Sequence, residues 1–136
     1  MHVQYVALCD QVILGNDSRP SLIGVFNDLQ VGQLPFVLPR FALAARIHFT
    51  TDGLGQTHSV EVVITDPTGA EIGRPGGQVQ LPDAPPGLDS IAVDLPLHFD
   101  LFQFEREGRY SFVLHVDGKP AAGTQLNLKR GQANVG

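Results

Sequence analysis

The chain has 136 residues, 43% of them hydrophobic and 17% charged, with 15 Gly and 10 Pro. That size and balance predict one globular domain, able to bury roughly two-thirds of its unfolded surface without staples, and exclude disorder and coiled coil. Nine basic residues against 14 acidic ones, a formal charge of -5 and no Trp offer neither a phosphate-tracking surface nor a stacking platform, so nucleic acid is not an expected partner.

Cys9 is the single cysteine and cannot form an internal disulfide, which points to a reducing, cytoplasmic location. Met1-His2 leads straight into an alternating apolar stretch with no basic region or cleavage site, so secretion by the usual signal is not expected. No apolar run approaches the ~20 residues of a membrane helix, and a membrane is not an expected partner either.

In chain order, Val3 to Leu14 and Ser21 to Leu29 carry apolar residues on both faces, as in Tyr5-Val6-Ala7-Leu8-Cys9 and Leu22-Ile23-Gly24-Val25-Phe26. Strands of this kind are covered on two sides, either by a second sheet plus a loop or by another subunit. Tyr5, Val6, Leu8, Leu22, Ile23, Val25 and Phe26 are therefore the candidate interface residues. Gly15 to Pro20 reads as a loop, and Leu34 to Pro39 as a Pro-bounded connection.

From Phe41 the period is two: Phe41, Leu43, Ala45, Ile47 and Phe49 alternate with more polar or smaller residues, the pattern of a strand with one face on a core. Val60, Val62 and Ile64 repeat it before the turn Asp66-Pro67-Thr68-Gly69. Ile91, Val93, Leu95, Leu97 and Phe99 form a later row, interrupted by Pro96, which predicts an edge or a bulge. Tyr110, Phe112, Leu114 and Val116 run into the hairpin signal Asp117-Gly118, and Ala122, Thr124, Leu126 and Leu128 form the returning row. Seven to nine short strands of this spacing predict an all-β fold, an antiparallel β-sandwich. Gly108-Arg109-Tyr110-Ser111-Phe112 resembles a tyrosine corner, which makes that sandwich immunoglobulin-like. The domain is expected over residues 1–130, with 131–136 as a flexible tail.

Sites are sparse. Pro67 to Ser90 holds five Pro and five Gly and is read as a loop in which Arg74, Asp83 and Asp89 are the candidate ligand residues. Its glycines lack the Lys-Ser or Lys-Thr of a phosphate cradle. His2, His48, His58, His98 and His115 show no metal-ligand spacing, with His48, His98 and His115 on the non-core faces of their strands. The acidic turn residues are not clustered as calcium ligands. Cys9 in an apolar strand is an inert thiol rather than a nucleophile. No catalytic residue, metal or cofactor is expected.

Ala7-Leu8-Cys9-Asp10, Ser21-Leu22-Ile23-Gly24-Val25-Phe26, Leu38-Pro39 with Phe41 and Arg46, Asp66-Pro67-Thr68-Gly69, Phe104 with Gly108-Arg109-Tyr110-Ser111-Phe112, and Val116-Asp117-Gly118 together resemble a family of short bacterial proteins known only as a domain of unknown function. The resemblance spans nearly the whole chain. It implies a standalone cytosolic β-sandwich and carries over no activity, ligand or catalytic residue.

These readings favour a non-catalytic binding or assembly module that works through a sheet face or edge, by self-association or with another protein. A small-ligand, calcium or carbohydrate-binding sandwich using residues 67–90 is the alternative, and an enzyme with a dispersed site comes third.

Overall fold

Phe41, Leu43, Ala45, Ile47 and Phe49 occur at every second position of one long strand, and all five lie in the apolar interior of the computed structural model, which describes residues 1–17, 19–83 and 86–131. The strands are β1 (His2–Leu14), β2 (Pro20–Val25), β3 (Asp28–Val31), β4 (Phe36–Thr50), β5 (Thr57–Thr65), β6 (Glu71–Gly73), β7 (Gly76–Gln80), β8 (Ser90–Phe104), β9 (Gly108–Val116) and β10 (Lys119–Arg130). One 3-10 turn, Thr51–Gly53, follows β4.

Two sheets result, one in the order β2-β1-β4-β8 and the other in the order β3-β10-β9-β5-β6, with β7 also paired to β5. They pack face to face as a β-sandwich. Their inward rows interdigitate: Leu8, Phe41, Leu43, Ile47 and Phe49 from the first sheet meet Val62, Ile64, Phe112, Leu114, Leu126 and Leu128 from the second. Burying each such side chain contributes about 1.5–3 kcal/mol. One end of this core is aromatic, where Phe41 stacks on Phe99 at 4.7 Å and meets Phe102 and Phe112 edge-on. Edge-to-face pairs of this kind add to the area they bury.

Two features go beyond the sequence pattern. Residues 67–90 are not one loop, because Glu71–Gly73 and Gly76–Gln80 both fold back onto β5 and bring the strands among the described residues to ten. Gly76 permits the second pairing, since a Cβ there would run into the Val60 carbonyl and the Glu61 side chain. The pairing of β3 with β10 is also parallel. The chain leaves β2 in one sheet and enters β3 in the other over Phe26-Asn27, held by Phe26 N–H to the Leu8 carbonyl and Asn127 N–H to the Asn27 carbonyl. That short switch sets the direction of β3. Pro96 sits, as its missing N–H requires, on the edge strand β8. Of the expected tail, Gly131 donates its N–H to the Val31 carbonyl, and 132–136 lie outside the described residues.

Candidate interaction site

Four of the exposed large hydrophobic side chains, Ile13, Leu14, Ile23 and Val25, lie on the β1–β2 hairpin. Its register places Cys9 opposite Val25 and Gln11 opposite Ile23, so Asp10 faces Gly24. Gly24 has φ 70° and lies against the Asp10 carboxylate, where a Cβ would collide. Only glycine satisfies both demands. Beyond this point the hairpin tip lies back across the outer face of its own sheet: Val12 and Leu22 pack with Tyr5 on the buried trio Cys9, Ala42 and Ala44. Val12, Leu14 and Pro20 also share a narrow crevice with Ala44 and Pro96. The second cover of β1 is therefore the chain itself.

This arrangement sorts the seven candidate interface residues. Leu8 is fully buried between the sheets, and Val6 and Phe26 pack on the same core. Tyr5 lies beneath the hairpin tip, and Leu22, paired with Val12, is part of the tip that covers it. Ile23 at 46% and Val25 at 57% exposure face outward, together with Ile13 and Leu14 of the tip. Burial also pushes the Tyr5 hydroxyl and the Cys9 thiol above their ordinary values.

Ile23 and Val25 belong to β2, which pairs only with β1 and leaves its other edge open. Pro20–Val25 carries no charged residue. The remaining edges are blunted in the ways that discourage pairing. β8 carries Asp94, Pro96 and Asp100, β3 has four residues beginning with Asp28, β6 has three beginning with Glu71, and β7, uncharged like β2, turns its one apolar side chain, Val79, onto the core.

The candidate ligand residues are not gathered into a cluster. Arg74 is spent on Glu71 at 2.6 Å and Glu61 at 3.1 Å, which hold its guanidinium above its ordinary pKa. Asp83 lies beside Gly55, and Asp89 is an exposed residue just before β8. Among the described residues no three His, Cys, Asp or Glu side chains converge as a metal site. The same segment does line an apolar cleft of about 230 Å³ between the sheets, formed by Gly76, Gly77 and Val79 of β7 against Leu95 and Leu97 of β8, with Leu43 and Leu114 at its floor.

His58 is a further arrangement, which residue spacing did not single out. It continues the inward row of Val60, Val62 and Ile64 and is 7% exposed, stacked on Phe49 at 4.6 Å. Its Nδ1 lies 2.7 Å from Asp117 Oδ2 and its Nε2 lies 2.7 Å from the Gly53 carbonyl. Asp117, in the tight turn after β9 at φ 53°, also accepts the Ser59 N–H at 3.0 Å. The row's period of two was the available signal.

Among the described residues no helix is long and apolar enough to cross a membrane. No curated protein matches the chain. A solved structure that it resembles is the Pseudomonas fluorescens alkylpurine DNA glycosylase AlkC bound to DNA containing an abasic site analog, at 11% identity and a TM-score of 0.48, over 91% of this chain and 30% of that one. The chain thus spans under a third of that enzyme, and a likeness of this size carries no argument about what this chain binds. The expectation that set nucleic acid aside is corrected on its own ground: it rested on a net charge of -5, which averages over the whole surface and says nothing of a local face. The model of a family of unknown function, DUF6941, matches residues 4–129, and the chain belongs to that family.

Proposed function

We propose that this protein is a non-catalytic binding or assembly module that acts through the open edge of β2. The observation that carries the reading is the contrast between that uncharged edge, with Ile23 and Val25 exposed, and the blunted edges elsewhere. A free edge offers a row of unpaired N–H and C=O groups to an incoming strand. A second copy supplies the same edge in antiparallel orientation across a twofold axis, which makes the surface self-complementary. Each added backbone hydrogen bond contributes about 0.5–1.5 kcal/mol net, and the two apolar side chains add their burial.

The test is solution mass by light scattering over a concentration series. The expected result is a dimer that Ile23→Lys converts to a monomer without changing the circular dichroism spectrum. A wild-type protein that stays monomeric at high concentration sinks the self-pairing reading. The fully buried, unpaired Cys9 supports a cytoplasmic location, and the Tyr110 corner supports an immunoglobulin-like relation.

A second reading rests on the cleft between β7 and β8. Its apolar lining favours a small apolar molecule over calcium or a sugar, both of which need convergent polar ligands. A ligand bound only by the folded chain raises its melting temperature, so a thermal-shift series with short alkyl and aromatic probes that moves nothing counts against it.

A further inference from the structure

We propose that His58 is a proton-operated latch: the doubly protonated ring binds the turn Thr51–Gly53 to the body of the sandwich, and loss of one ring proton releases it.

Both ring nitrogens point at acceptors that have no proton to give, a carboxylate oxygen and a backbone carbonyl, each at 2.7 Å. An imidazole that donates from both nitrogens is an imidazolium. A neutral ring keeps one N–H and turns a lone pair toward the other acceptor. Of the two bonds, the one to the Asp117 carboxylate is charge-assisted and the stronger. Asp117 is also fixed from the other side by the Ser59 N–H, and its own N–H donates to the Ser59 carbonyl. The bond to Gly53 is therefore the one that opens.

The surroundings support this direction. The ring meets Asp117 from the turn after β9, Gly53 from the 3-10 turn and Phe49 from β4, and the charged groups that line the same cleft are Asp52 of the 3-10 turn, Lys119 of β10 and the amino terminus at Met1. The Gly53 carbonyl and then the Asp117 side chain raise the His58 pKa above 6.5, against an opposing effect of burial. The latch is closed at lower pH and opens as pH rises through that raised value. Release reaches further than one turn: Gly55 N–H donates to the Pro82 carbonyl, and Leu81 N–H to the Gln56 carbonyl. The stretch 81–83 is therefore tied to the segment that moves, beside a cleft of about 450 Å³ lined by Asp52, Gln56, Asp117 and Lys119.

The experiment is a pH titration of the 15N-labelled full chain by NMR, following the His58 ring nitrogens and the Leu54 and Gly55 amides. The expected result is a single midpoint above 6.5 shared by ring and amides, with two bound ring N–H protons on its acid side. Asp117→Asn, which leaves an Asn-Gly pair well suited to the same turn, lowers that midpoint. A ring that titrates at or below 6.5, a ring that titrates while the Leu54 and Gly55 amides stay fixed, or an Asp117→Asn midpoint that does not fall overturns the latch.

Discussion

The Tyr110 hydroxyl donates to the Arg106 carbonyl at 2.7 Å, four residues upstream, and the Arg106 N–H returns a longer bond of 3.4 Å to the same oxygen. Tyr110 is 2% exposed and meets Phe104 edge-on at 5.0 Å, so one side chain fixes the corner that leads into β9. Tyr110→Phe keeps the ring and removes both bonds, leaving a part-buried carbonyl unpaired. A loss of about 1–2 kcal/mol is expected, read as a lower urea midpoint at unchanged slope. A variant as stable as wild type shows that the hydroxyl does not hold the corner.

The pair His58–Asp117 gives stability a bell-shaped dependence on pH. His58 titrates above 6.5 in the folded chain, so its contribution is complete below that value and lost as pH rises through the folded one. Asp117 titrates below 3.8, first because of the His58 hydrogen bond, so its contribution is complete above 3.8 and lost as pH falls. The urea midpoint is expected to be highest between these limits and to fall on the alkaline side. Asp117→Asn flattens both arms, and a wild-type curve that rises steadily from pH 6 to 9 contradicts the assignment.

Much of the fold is legible in period-two rows. Val60, Val62 and Ile64, and Tyr110 through Val116, each alternate cleanly because one face meets the core and the other meets water. The rows fail where a strand is covered twice. Tyr5 through Cys9 show no alternation because the hairpin tip roofs the outer face, and nothing local in the sequence says which part of the chain returns to do so. Residues 67–90 read as loop because Pro and Gly mark turns, yet Gly76 is there to let β7 approach β5. The site was half visible: Ile23 and Val25 were among the interface candidates, while their separation from Leu8 and Phe26 depends on packing between distant strands. His58 needed Gly53 and Asp117, and only the pairing of β5 with β9 brings the latter within reach.

Cys9 has no exposed surface and packs with Ala42 and Ala44, and burial raises its thiol pKa. Alkylation of the native protein by a water-soluble reagent is expected to be slower than in denaturant by about two orders of magnitude or more. Leu22→Ala thins the roof and speeds the native reaction. Equal rates before and after unfolding mean that the hairpin tip does not cover the thiol.

Leu101 adopts φ 53° within β8 and is 72% exposed. A branched side chain in this left-handed region costs about 1–2 kcal/mol, and so exposed a side chain returns little by burial. Leu101→Gly is expected to stabilise the protein by about 0.5–1 kcal/mol, after the larger chain entropy of glycine is allowed for. Differential scanning calorimetry reads this as a higher Tm. A lower Tm means that the leucine makes a contact worth more than the strain.

The unequal edges of the two sheets limit what kind of object self-pairing makes. A subunit with two adhesive borders passes each on to the next and grows into a thread. Here Pro96 and its acidic neighbours close the far border of the sheet that β2 opens, so pairing through β2 consumes the sticky margin of both copies at once and growth stops at two.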